Sequence, residues 1–313
     1  MNKPLALQLC PFSDFLENEL SNRFEIVHWF SLSPAQQQAW LSERAQSVRA
    51  VVTGGHIGFT NELMDQLPSL GVIAINGVGF DKVDLPHARE RGVGVTNTPD
   101  VLTEDVADLA IGLIISLLRR LPAADAHVRA GQWPSGDMPL ARKVSGRRFG
   151  IVGLGRIGSA IASRVAPFGP VAYTDLTEKP VPYSFHGDIL ALAEAVDVLI
   201  VASSANAATR HLIAAPVLDA LGPNGYLVNV ARGSLVDEQA LIDALAQGRI
   251  AGAALDVFEA EPNVPEALRT SDKVVVSPHI ASATQETRRR MAELVLENLD
   301  AFVAGKSLPT ALF

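Results

Sequence analysis

The chain has 313 residues, 48% of them hydrophobic and 19% charged, which is enough for two globular domains with sizeable cores and too apolar for disorder. Its formal net charge of −8 argues against nucleic acid as the main partner and means that an acidic substrate must be met by locally placed cations. Cys10 is the only cysteine, which excludes an intrachain disulfide and a thiolate metal cluster and fits a reducing cytoplasm.

The N-terminal MNKPLALQLCPF holds one lysine and a short apolar run between prolines, without the apolar core and cleavage site of a signal peptide. Strand-like runs at residues 4–9, 25–30, 48–52 and 71–75 alternate with helical stretches at 34–45 and 61–67. This alternation predicts an α/β layer with a mainly parallel sheet. Asn76-Gly77-Val78-Gly79-Phe80-Asp81 follows a strand directly. Its two glycines free backbone N–H groups that could cradle a carboxylate or phosphate, and a tight turn into a helix at 84–91 explains them equally well. A short strand at 93–96 comes next.

Residues 103–121 carry the longest helical pattern of this half, with an acidic start at Asp105 and Asp108 and a stop at Arg119, Arg120 and Pro122. The body is apolar nearly all round, so the helix is expected to be buried, as a bridge between domains and a subunit contact. Its uncharged run, 109–118, is too short to span a bilayer. A loop at 131–146 with Trp133, Pro134 and Pro139 leads to the next strand.

The stretch 149–175, FGIVGLGRIGSAIASRVAPFGPVAYTD, reads as strand, glycine turn, helix, strand. In Gly153-x-Gly155-x-x-Gly158 the first glycine allows the tight turn. The second lets the backbone approach a pyrophosphate, and the third lets the helix pack close to the strand. The helix start offers its N–H groups and positive dipole end to that pyrophosphate. The second strand ends in Asp175, at the distance where a carboxylate accepts from the adenosine ribose hydroxyls. The alternative is a structural glycine turn in another α/β fold; the strand before, the helix after and the acid favour a dinucleotide.

Strands follow at 197–202, 226–230, 250–257 and 273–277, with a helix at 238–247, giving about six strands from residue 149 to 277. A charged helix at 285–303 returns the chain to its first half. The expected domains are 1–98 with 282–313, discontinuous, and 99–281, which includes the helix 103–121.

In doubly wound sheets ligands bind at the carboxyl ends of strands. Arg232, Asp256, Glu261 and His279 all follow strands there. Singly each has a plainer reading: a surface charge, a solvated loop acid, a structural histidine. Together on the edge of a nucleotide fold, they point to chemistry. His56, His127 and His211 lie apart without ligand spacing, so no metal role is expected.

The segments NGVGFDKVDL (76–85), TEDVADLAIGLII (103–115), GRRFGIVGLGRIG (146–158), LVNVARGSLVDEQALIDAL (227–245), LDVFEAEP (255–262) and SPHIASAT (277–284) resemble the D-isomer-specific 2-hydroxyacid dehydrogenases, and the resemblance covers essentially the whole chain. Within that family the chain is most similar to glyoxylate, hydroxypyruvate and sugar-type 2-oxo-acid reductases. The resemblance implies two doubly wound parallel-sheet domains, a Rossmann-type cofactor domain and a discontinuous flavodoxin-like substrate domain. It implies reduction of a 2-oxo acid such as glyoxylate or hydroxypyruvate, with 2-ketogluconate and hydroxyphenylpyruvate as alternatives.

By the same resemblance Arg232 would bind the substrate carboxylate and polarise the 2-oxo group, a task suited to its fork. His279 would act as general acid and base, since an ordinary imidazole titrates near neutrality, and Glu261 would orient it. Val78 and Gly79 would offer backbone N–H groups to the carboxylate. The cofactor cleft would comprise Gly153, Gly155, Arg156, Ile157, Gly158, Asp175, Ser203, Thr209, Val230, Arg232 and Asp256, with Asp256 on the nicotinamide carboxamide. A homodimer around the helix 103–121 is implied, with Trp133 a candidate to reach the partner's active site.

Two departures stand out. NADP-preferring relatives usually carry a basic residue after the second strand, whereas Asp175-Leu176 stands here and favours NAD(H); Lys179 nearby leaves NADP(H) open. Many relatives have a proline where this chain has Ser203-Ser204-Ala205-Asn206. A different class of function, a dinucleotide-sensing dimeric scaffold, is disfavoured by the intact Arg232, Glu261 and His279. Formate-type relatives carry Gln at the position of Glu261.

Overall fold

In the computed structural model, which describes residues 3–313, the central strands of the first sheet alternate with period two and bury both faces, while the edge strand Glu25–His28 is half-buried or exposed. The elements run β1 (Leu5–Gln8), α1 (Asp14–Arg23), β2 (Glu25–His28), α2 (Pro34–Arg44), β3 (Val48–Gly54), α3 (Asn61–Asp65), β4 (Val72–Asn76), α4 (Leu85–Glu90) and β5 (Gly94–Thr96). Leu5, Leu7, Val51, Ile73 and Ile75 face a core with Trp29, Leu41, Met64 and Leu67. Ala6, Ala50, Val52, Val72 and Ala74 face the other side, against Leu16, Leu20 and Phe24 and against Val295, Leu296 and Leu299 of the helix Gln285–Val303. All strands are parallel, in the order β2-β1-β3-β4-β5. This is the flavodoxin-like order.

Residues up to 102 together with 283–313 make one compact unit, and residues 103–282 the other. Helix starts in the first unit are set locally. Ser33 closes a capping box with Gln36, Pro34 occupies the first turn of α2, and Asp84 accepts from the His87 N–H to start α4. After the last helix, Ala311 pairs antiparallel with Thr96, and the Leu312 N–H donates to the Val95 carbonyl at 2.9 Å. The open edge of β5 is thus covered.

The second unit runs α5 (Thr103–Arg119), α6 (Leu121–Arg129), β6 (Phe149–Val152), α7 (Arg156–Val165), β7 (Val171–Thr174), β8 (Ser184–Phe185), α8 (Ile189–Ala195), β9 (Val198–Val201), α9 (Ala215–Leu221), β10 (Tyr226–Asn229), α10 (Glu238–Ala246), β11 (Gly252–Leu255), α11 (Glu266–Arg269) and β12 (Val274–Val276). The returning helix is α12 (Gln285–Val303). The sheet is parallel throughout, in the order β12-β11-β10-β9-β6-β7-β8. The order reverses between β6 and β9, which makes that crevice the switch point where such sheets bind ligands.

Three expectations are corrected. Residues 103–121 do not form one helix: Arg120 takes a left-handed backbone (φ 54°), and Pro122 then starts α6, where its missing N–H and fixed φ suit a first turn. Nor is α5 buried all round within the chain. Val106, Ala110, Leu113, Ile114 and Leu117 face inward, while Glu104, Asp108 and Gly112 are exposed and Leu109, Ile111 and Ile115 half-buried. The sheet has seven strands, because Ser184–Phe185 is too short to leave a periodic signal. The α5–α7 packing is tied by Arg164, which donates to Asp108 at 2.7 Å and to Glu104 at 2.6 Å. No helix among the described residues is long and apolar enough to cross a membrane.

Candidate active site

The glycine turn after β6 is built as a cradle. Gly153 has φ 89°, and a Cβ there would lie 2.6 Å from the Ser203 Cα in the loop after β9. A Cβ on Gly158 would lie 2.0 Å from the Gly153 carbonyl oxygen, so only glycine lets α7 approach its own turn. Around Gly155 nothing lies within 4 Å of such an atom, which leaves room for a ligand. Gly155 also N-caps α7 without a side-chain bond, so the first N–H groups of the helix are left to a ligand. The Ser203 Oγ is buried without a hydrogen-bond partner in the protein. An open cradle, uncapped N–H groups and an orphaned hydroxyl together fit a dinucleotide pyrophosphate. Arg156 opens α7 and is exposed, and Ile157 is half-buried beside it.

Asp175 closes β7 beside this turn. Its Oδ2 accepts from the Leu154 N–H at 2.9 Å and lies 2.6 Å from Lys179 Nζ, and its Oδ1 accepts from the Leu176 N–H at 2.7 Å. Burial alone pushes the carboxyl up, but Lys179 and the two backbone donors outweigh it and hold it below the ordinary carboxylate range. In the loop after β9, Thr209 is spent on local structure. It forms a capping box with Asn206, and its hydroxyl donates to the Ser204 carbonyl at 2.9 Å. Val230 is buried at the end of β10.

The adjacent strands β10, β11 and β12 deliver the polar residues. Arg232 follows β10 in extended backbone, donating to the Ala231 carbonyl at 2.8 Å. Asn229 shapes that loop: it accepts from the Ala231 N–H at 3.0 Å and donates to the Arg232 carbonyl at 2.9 Å. At Gly233 a Cβ would stand 1.9 Å from the Phe258 carbonyl carbon, so this loop and the one leading to Glu261 touch backbone to backbone. Glu261 Oε1 accepts from the Phe258 N–H at 3.0 Å, which aims Oε2 at His279 Nδ1, 2.8 Å away.

His279 itself sits at φ 53°, a left-handed conformation costly for a residue with a Cβ. The turn is held by Asp256, which is fully buried. Its Oδ1 accepts from the Ser277 hydroxyl at 2.6 Å and the Ile280 N–H at 2.9 Å, and its Oδ2 from the Ala281 N–H at 2.9 Å. The His279 N–H donates to the Asp256 carbonyl at 2.8 Å. Asp256 thus fixes the histidine turn, a task absent from the sequence reading. No group of three or more metal-ligating side chains occurs among the described residues.

Val78 and Gly79 belong to the other unit, after β4. The Asn97 amide donates to the Val78 carbonyl at 2.8 Å, and a Cβ on Gly55 would lie 2.6 Å from the Gly79 carbonyl oxygen. Behind Asn97 the Thr310 hydroxyl donates to the Asn97 carbonyl at 2.6 Å, and the buried Asn298 donates to that hydroxyl at 2.8 Å. The loop is therefore braced from the C-terminal segment. Sequence reasoning missed Asn97, Asn229, Ser277, Asn298 and Thr310. The available signal was a polar side chain ending an apolar strand, as at Asn229 and Ser277.

Residues 111–281 match the family described as D-isomer specific 2-hydroxyacid dehydrogenase, NAD binding domain. The chain is 49% identical over 307 residues to a glyoxylate/hydroxypyruvate reductase A of Arabidopsis thaliana, covering 97% of each protein. It is likewise 49% identical over 307 residues to a hydroxyphenylpyruvate reductase of Plectranthus scutellarioides, again with 97% of each covered. A solved NADPH-dependent glyoxylate/hydroxypyruvate reductase of Sinorhizobium meliloti, in complex with NADP and malonate, superposes with a TM-score of 0.90 at 42% identity, over 99% of this chain and 97% of that one. The chain belongs to the D-isomer specific 2-hydroxyacid dehydrogenases, and is an oxidoreductase with a nicotinamide-dinucleotide-binding unit.

Proposed function

We propose that the protein reduces a small 2-oxo acid, glyoxylate or hydroxypyruvate, to the corresponding 2-hydroxy acid, the D isomer where the product is chiral. The observation that carries this reading is the His279–Glu261 pair at 2.8 Å, set on the strand edge that also carries Arg232 and the glycine cradle. A bound reduced nicotinamide dinucleotide supplies the hydride. The chain's own residues bind the acid and manage the proton. Arg232 takes the substrate carboxylate through its guanidinium fork and polarises the 2-oxo group. By the family resemblance, the loop at Val78 and Gly79 would offer backbone donors of its own to a substrate carboxylate. His279, held through Nδ1 by Glu261, gives a proton from Nε2 to the substrate oxygen and takes it back in the oxidation direction. Asp175 accepts from the adenosine ribose, which favours NADH.

The half-open stripe of α5 and the exposed Leu121, Val128 and Trp133 support a homodimer through this region, with Trp133 directed to the partner subunit.

Initial rates of loss of reduced-nicotinamide absorbance, with a panel of 2-oxo acids against NADH and NADPH, test the reading. A clear rate with glyoxylate or hydroxypyruvate is expected. Tight NADH binding without turnover on any acid would point instead to a sensing scaffold. If the Asn97 brace sets the carboxylate loop, Asn97→Ala raises KM for the 2-oxo acid about tenfold, the loss of one well-placed bond to a charged group, and lowers kcat less. Unchanged KM would remove the loop from substrate binding.

A further inference from the structure

The coenzyme choice turns on a residue four positions beyond the ribose acid. Asp175 is not a lone carboxylate. Lys179 Nζ lies 2.6 Å from its Oδ2 and also donates to the Leu154 carbonyl, at 2.6 Å, inside the glycine turn. The position of this lysine is built into the fold. Its backbone N–H donates to the Tyr173 hydroxyl at 2.7 Å, and that hydroxyl donates back to the Lys179 carbonyl at 3.3 Å. Tyr173 is wholly buried in β7, with its ring 5.4 Å from that of Phe185 in β8. Two strands therefore fix where residue 179 stands.

The remaining bonding capacity can be counted. An ammonium has three N–H donors, and the aspartate and the Leu154 carbonyl use two of them. An ionised carboxylate has about four acceptor positions, and Leu154, Leu176 and Lys179 fill three of them. One donor remains on the lysine and one acceptor on the aspartate, on a pair whose formal charges cancel. A ribose 2′-hydroxyl can use the acceptor. A 2′-phosphate meets no net negative charge and can use the donor. Leu176, fully exposed next to Asp175, adds no cation of its own.

We propose that Lys179 is the residue that admits the 2′-phosphate: by pairing with Asp175 it opens a site shaped for NADH to NADPH as well. This rests on the dinucleotide reading of the glycine turn and is independent of the 2-oxo acid.

The test uses adenosine fragments, so it needs no turnover. Binding of 5′-AMP and of 2′,5′-ADP to the intact protein is measured by calorimetry for the wild type, Lys179→Gln and Lys179→Arg. The wild type is expected to bind both fragments. Lys179→Gln is expected to weaken 2′,5′-ADP by about tenfold or more, the worth of a bond to a charged group, with 5′-AMP nearly unchanged. Lys179→Arg should keep both. Equal weakening of the two fragments by Lys179→Gln would reduce the lysine to a brace for the Leu154 turn and overturn the proposal, as would no effect on 2′,5′-ADP. Failure of the wild type to bind either fragment would overturn the dinucleotide reading, and this proposal with it.

Discussion

His279→Ala is expected to lower kcat by about a thousandfold, within the range that a positioned general acid contributes, while NADH affinity stays near that of the wild type. The split follows from placement. His279 leaves β12 at the end of the edge, whereas the cradle at Gly153, Gly155 and Gly158 stands at β6, with three strands between them in the order β12-β11-β10-β9-β6. Removing the imidazole takes nothing from that cradle. Alanine takes the left-handed backbone less readily than histidine, but the Asp256 bonds to the Ser277 hydroxyl and the Ile280 and Ala281 N–H groups are untouched, so the turn should keep its shape. Glu261→Gln should fall between the two enzymes, because an amide oxygen can still accept from Nδ1 but carries no charge to stabilise the imidazolium. Single-turnover rates and NADH fluorescence titration read the two quantities apart. Unchanged turnover, or equal losses of turnover and of NADH binding, would remove the general-acid role.

The second large effect is structural. Asp256→Ala strips the acceptor from three donors at once: the Ser277 hydroxyl and the Ile280 and Ala281 N–H groups. In a fully buried position these cannot all recover water, and the expected loss is on the order of 3 kcal/mol. In a domain of this size that lowers the melting temperature by roughly 10 °C. Hydrogen exchange at 277–281 should rise well above that of the rest of the second unit, and turnover should fall with it because His279 loses its turn. Asp256→Asn keeps an oxygen for Ser277 and Ile280 and should be milder. A variant of native stability that loses NADH affinity alone would speak for a contact to the nicotinamide carboxamide and against the bracket.

Most of the strands and the strand-end chemistry were legible because both are written in period and position, whereas the strand order was not. Apolar runs at fixed intervals gave the strands, and Arg232, Glu261 and His279 follow three of them at neighbouring places in the sheet. Bonds between polar side chains and distant backbone left no such trace. Nothing in the spacing of Asn97, Asn298 and Thr310 ties them together, because the contact joins residues 213 positions apart. The same holds for Asp256, whose residue type suggested a ligand contact while its three protein donors lie more than twenty positions downstream. The break at Arg120 was hidden for another reason. Proline marks a helix start as well as a helix stop, and the residues around Pro122 permit either. The half-exposed stripe of α5 was illegible because an apolar side chain reads alike whether it meets its own chain or another.

The division of the first unit between the two ends of the chain has a consequence for biosynthesis. Its five-stranded sheet is complete by Thr96, yet one face is covered by Ala292, Val295, Leu296 and Leu299, which the ribosome adds only after the whole of residues 103–282. Leu16, Leu20 and Phe24 are already made and cover part of that face, but at about 5–20 residues per second the nascent chain carries the part that α12 covers bare for roughly 10–40 s. The later-synthesised unit can finish folding before the earlier one, so the order of maturation runs opposite to the order of translation. Chaperone binding in that interval should concentrate on Ala50, Val52, Val72 and Ala74 and end when the last helix emerges.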